Sequence, residues 1–121
     1  MFTKRLEEAR ARGLESEHET SSIRSMLDIP AFLDRTRPRI APESAQPTGR
    51  DPEASWKDLQ CIRADLRAAL LSADGLALGQ VIHPHPRFGA LNLYQWALFI
   101  GAHEARHTGQ LGEIALAFAR Q

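Results

Sequence analysis

The apolar rhythm that organises this chain lies near its end, in residues 92–119. Trp96, Ile100, His103, His107, Gln110, Leu111, Ile114 and Phe118 recur there every three or four residues, which places them on one stripe of an α-helix. Asn92 is a suitable N-cap, and Gln95 three residues later can close a capping box with it. Upstream, Gly89 and Pro86 break any earlier regularity. Both histidines fall within the apolar stripe, on the side expected to be buried, with Glu104 and Arg106 each about 100° away from a neighbouring histidine.

Weaker periodicity predicts the other elements. Phe2, Leu6, Ala9 and Gly13 or Leu14 step at helical intervals among Lys, Arg and Glu, giving an amphipathic helix from residue 2 to about 19. It opens without a capping residue, as a frayed terminus would, or a chain that begins partway along a longer helix. Pro30, Pro38, Pro42, Pro47 and Gly49 then interrupt the pattern. A short helical turn over 25–35, with Met26, Ile29, Phe32 and Leu33 as its apolar side, precedes a segment 41–49 expected to be the most mobile. Asp51, Pro52 and Glu53 form a start signal, after which Trp56, Leu59, Ile62, Leu66 and Leu70 make a second stripe ending near Asp74 and Gly75. Residues 76–80 suggest a turn of helix, and two X-Pro steps force 81–86 to be extended. No internal repeat and no β-hairpin signal is read. The expected class is all-α, a partial up-down helical bundle of three long helices and a short one, in one domain of residues 1–121.

Composition narrows the function classes. Lys plus Arg equals Asp plus Glu at 15 each, so no net field favours nucleic acid, membrane or an acidic partner. Cys61 is the single cysteine and cannot form an intrachain disulfide, which suits a reducing compartment. The charged N-terminus lacks the apolar core of a signal peptide, and no run approaches a membrane span. A cytoplasmic protein that binds neither nucleic acid nor membrane is expected.

The candidate chemistry is the pair His103 and His107. One turn apart, two imidazoles can present nitrogens to a single divalent metal. Residues 103–107 also match H-E-x-x-H literally, the metallopeptidase signature in which Glu104 would be the general base. That signature needs a third ligand, whereas 14 residues follow His107 and the nearest downstream carboxylate, Glu113, is on the same helix. Alternatively the pair are core histidines bonded to Gln110, a carboxylate or backbone. His83 and His85 precede the last helix in an HPHP run expected to point them to different sides of an extended chain. His18, between Glu17 and Glu19, is expected to be a solvated surface residue. Trp56 and Trp96 are expected in the core, and Cys61 is expected to be inert.

A wider pattern is more specific. HPRFG at 85–89, Leu91 and Leu93 before Trp96, and the H-x-x-R-H-x-x-Q run of His103, Arg106, His107 and Gln110 resemble the C-terminal helix of the DinB-like superfamily. These are bacterial metal-binding four-helix bundles related to damage-inducible proteins and thiol-dependent S-transferases. Residues 56–80 look like the family's third helix and its loop, so the resemblance covers about two thirds of the chain, and residues 2–20 fit the end of the second helix. The resemblance implies that His103 and His107 match two of three histidine ligands to zinc or nickel, in a metal-dependent transferase or hydrolase acting on a small, thiol-type substrate. The third ligand of the family precedes Met1 in register, so the first helix and the start of the second are expected to be missing. A bundle lacking a helix exposes core: at roughly 25 cal/mol per Å², about 400 Å² left open forfeits about 10 kcal/mol, comparable to a domain's whole stability of about 5–15 kcal/mol. A homodimer, with helix exchange as one route, is the expected compensation. The competing expectation is a non-catalytic truncated bundle that serves as an oligomerising or interaction module.

Overall fold

A computed structural model describes residues 1–18, 22–36 and 40–120, at residue 44 the backbone alone. Residue 19, the end of the expected first helix, and the break at Pro38 lie outside the described residues. The chain divides into two compact units, one of residues 1–18 and 40–81 and the other of residues 22–36 and 82–120.

In the first unit, helix α1 (Phe2–Ala11) buries Phe2 and Leu6. It is shorter than the periodicity predicts. Gly13 turns the chain out of the helix at φ +84°, its N–H bonding to the Arg10 carbonyl at 3.0 Å, a helix stop that glycine permits because it has no Cβ. The long helix of this unit (Pro52–Ser72, numbered α3 below) opens as expected, with the Asp51 carboxylate accepting from Ala54 N–H at 2.7 Å and Pro52 in the first turn. Arg10 of α1 donates to the Ser72 carbonyl, and the Glu15 carbonyl accepts from Ala77 N–H at 2.9 Å. The stripe on this helix is only partly covered. Leu66 and Leu70 are half-buried, whereas Leu59, Ile62 and Trp56 are exposed, Trp56 at 55%. Trp56 is therefore not a core residue, contrary to expectation.

The second unit carries the candidate chemistry. A 3-10 turn (Ile23–Met26) leads to helix α2 (Ile29–Leu33), capped by Asp28, which accepts from Ala31 N–H at 3.1 Å. After α3 comes a 3-10 turn (Leu78–Gln80) in the first unit. Strands β1 (Ile82–His85) and β2 (Gly89–Asn92) then pair antiparallel, with His83 opposite Leu91 and His85 opposite Gly89. This hairpin corrects the sequence expectation. Pro84 in β1 and the P-R-F loop mask it, because proline ordinarily demotes a strand. Two features make the turn: Gly89 at φ +73°, a left-handed residue that closes a three-residue loop, and the His85 ring, whose Nδ1 accepts from the N–H groups of Arg87 at 3.0 Å and Phe88 at 3.3 Å.

Helix α4 (Leu93–Phe118) follows at once. Its capping box is as expected, Gln95 N–H to Asn92 Oδ1 at 2.9 Å and Asn92 N–H to Gln95 Oε1 at 3.0 Å. The chain is thus mostly helical with one small sheet, consistent with a DinB-like helical fold.

Candidate metal centre

Two pieces of backbone, the hairpin and α2, converge on the first half of α4. The hairpin covers its first turns: Leu93 is fully buried, and Trp96, also buried, donates its indole N–H to the His83 carbonyl at 2.9 Å. His83 and His85 both lie against Trp96, with ring centroids at 5.7 and 5.1 Å. They share a face rather than pointing apart, because residues i and i+2 of a strand project to the same side. From the other flank, α2 brings Phe32 to within 5.2 Å of Phe88 and 5.4 Å of Phe99 in edge-to-face contact. Phe99 in turn lies 4.7 Å from His85 and 5.4 Å from His103. A continuous run of rings therefore ends at the histidine pair.

Beyond Phe99 the buried face of α4 rotates. Ala102 and Arg106 are buried, and His103 and His107, each one residue further on, are exposed. The expectation of two histidines on the covered side is corrected by about 100°. The residue that takes the covered position is Arg106, 7% exposed, which donates to the carbonyls of Phe32 and Asp34 at the C-terminal end of α2. Both carbonyls stand at the end of this short helix, where the arginine serves as a cap. Arg35 lies beside Gly109 and pairs with Glu113 at 2.7 Å.

The histidines nevertheless meet. His103 Nε2 and His107 Nε2 are 3.1 Å apart, and His107 Nδ1 is 2.7 Å from Gln110 Oε1. An amide oxygen only accepts, so His107 carries its hydrogen on Nδ1 and turns the lone pair of Nε2 toward His103. Two imidazole nitrogens each about 2.0–2.1 Å from a zinc ion, at angles between octahedral and tetrahedral, are about 2.9–3.4 Å apart. The pair has that spacing, and an outer hydrogen bond that fixes a ligand histidine's tautomer is the usual support of such a site. Among the described residues, no three His, Cys, Asp or Glu side chains gather where they could hold a metal. His18 is exposed and belongs to the first unit.

Electrostatics favour the neutral, ligating form. The His103 pKa is lowered from its ordinary 6.5, first by desolvation and then by the charges of His107, Arg106 and His85. The residue is exposed by area, yet its ring lies on Phe99, which removes water from one face. His85 is lowered by desolvation alone. A histidine with a depressed folded pKa binds protons more weakly in the folded than in the unfolded chain, so stability is lost as pH falls below 6.5 toward the folded value. We expect the urea midpoint of metal-free protein to drop between pH 7.5 and 5.5, and His103→Ala to lose part of that dependence. An identical slope in the variant would remove His103 as a contributor.

The family model of the DinB superfamily matches residues 4–111, a span that runs through most of both units and contains both histidines. The chain belongs to the DinB superfamily. It is also 37% identical over 83 residues to the uncharacterized protein YuaE of Bacillus subtilis (strain 168), which covers 67% of this chain and 51% of that protein. The chain thus spans about half the length of this curated relative. No solved structure matches it. The DinB superfamily is generally metal-binding. Among the described residues, no helix is long and apolar enough to cross a membrane.

Proposed function

We propose that this DinB-like protein binds a divalent metal, zinc or nickel, through His103 and His107. The observation that carries the reading is the convergence of the two Nε2 atoms at 3.1 Å with the His107 tautomer set by Gln110. A metal held there supplies a Lewis acid able to lower the pKa of a bound water or thiol. The chain's own contribution is to hold both Nε2 atoms at one point, with the His107 lone pair fixed by Gln110 and His103 kept neutral, so that a shift of the His103 hydrogen to Nδ1 frees the second lone pair for the metal. A metal-dependent transferase or hydrolase acting on a small thiol-type molecule is the activity class this supports, in a cytoplasmic protein whose residues 1–121 form one up-down bundle of the DinB type. The family match running through both units supports the single domain. The metallopeptidase alternative, with Glu104 as base, has less support, since the described residues bring no third protein ligand to the pair.

Exposed apolar residues on α3, Trp56, Leu59 and Ile62, favour a second reading, a non-catalytic interaction module. The two are separated by the metal content of untagged protein prepared without chelator, measured by plasma mass spectrometry. Zinc or nickel at a fixed ratio to the chain is the expected result. No metal, even after it is added back, would overturn the first reading and leave the second.

A further inference from the structure

We infer that the histidine pair is half of a metal site shared by two copies of this chain, which dock through the exposed end of α4. This rests on the metal-binding part of the reading above and not on its activity class, because a site filled by four imidazoles holds the subunits together and leaves no open position for a water or thiol. His103, His107, Gln110, Leu111, Ile114 and Phe118 lie on one helical stripe. The hairpin covers that stripe at Leu93 and Trp96, but from His103 onward it faces solvent, with Leu111 67%, Ile114 52% and Phe118 71% exposed. Beyond His107, Glu113 is the one acidic or basic residue before Arg120, and it is already bridged to Arg35 at 2.7 Å. A second copy approaching this face therefore meets apolar surface without like-charge repulsion.

Magnitudes decide how such a pair is held. Each of the three part-exposed apolar side chains offers on the order of 100 Å², so two copies bury about 600 Å² in total, well below the roughly 1,200–2,000 Å² of a stable interface. The apolar stripe alone does not hold the dimer. Zinc supplies the remainder: it takes four ligands in a closed site, this chain offers two imidazoles at its surface, and a second copy offers the same two. A face that pairs with itself closes as a two-fold dimer and forms no chain of subunits.

Sedimentation velocity of the full chain, stripped of metal and titrated with zinc chloride, tests this. The expected result is a monomer in chelator and a dimer whose fraction peaks at one zinc per two chains. The dimer should be abolished by His103→Ala/His107→Ala, unchanged by His18→Ala, and weakened at least tenfold by Ile114→Asp. Far-UV circular dichroism checks that the variants, all at exposed positions, remain folded. One zinc per chain on a persistent monomer would overturn the sharing while leaving the metal-binding reading intact. A dimer indifferent to chelator, or one surviving in the double variant, would also overturn it. Absence of zinc binding would remove both the sharing and the metal-binding reading.

Discussion

Replacing His107 with alanine is expected to weaken zinc or nickel binding by at least about a hundredfold while the helical circular dichroism of the chain stays unchanged. The magnitude follows from what the side chain does. Removing an outer partner of a ligand histidine typically costs about 10–100-fold in metal affinity, so removing the ligand itself reaches at least the top of that range. The fold is expected to survive because His107 is exposed and its two hydrogen bonds, to His103 and Gln110, both lie within α4. Gln110→Leu provides the graded comparison: both imidazoles remain, but nothing selects the Nδ1–H form of His107, and a loss of about tenfold or more is expected. Isothermal titration calorimetry on untagged protein reads both. If His107→Ala bound metal as tightly as the parent, the pair would not be the site, whatever metal the protein carried.

The parts of this fold legible in the sequence are those set by local chemistry. Asp51 with Pro52, and Asn92 with Gln95, cap their helices as residue types alone suggest, because a cap is satisfied within four residues and needs no tertiary partner. Helix lengths were less legible. Gly13 stops α1 about two turns early, and a glycine inside an otherwise periodic pattern does not announce whether it will take the left-handed conformation. The hairpin is hidden in the sequence for a related reason: its turn depends on the His85 side chain accepting two backbone hydrogens, an interaction absent from the usual turn residues.

At the candidate site, the spacing of His103 and His107 and the partner at Gln110 could be read off the chain, but the direction in which they face could not. Periodicity identifies a stripe and does not say what covers it. Here the stripe is covered at Trp96 and bare at Ile114, while the covered face of the later turns is the one holding Ala102 and Arg106. Arg106 is the residue whose importance sequence patterning underrates. An arginine beside two histidines looks like flanking charge, and its burial follows from two carbonyls contributed by a segment more than seventy residues away.

That arginine carries the second large effect. Arg106→Met is expected to lower the stability of the second unit by about 3 kcal/mol, since hydrogen bonds from a charged donor contribute roughly 1.5–3 kcal/mol each and the substitution removes two of them. Helix α2 has five residues, too few to persist without tertiary support, so the consequence extends beyond the cap. Release of its C-terminal end would draw Phe32 away from Phe88 and Phe99, and Phe99 is the ring on which His103 rests. Urea unfolding measures the loss, and hydrogen exchange should show residues 29–35 losing protection first. The exposed Arg35 to Glu113 bridge is the natural comparator: solvent-facing pairs contribute about 0–1 kcal/mol, so Glu113→Gln should change stability far less. Arg106→Lys, which offers a single ammonium in place of a planar fork, should fall between the two. A cost below about 0.5 kcal/mol for Arg106→Met, the range of ordinary surface substitutions, would mean that α2 is held by its aromatic contacts and that the arginine only fills space beside the histidines.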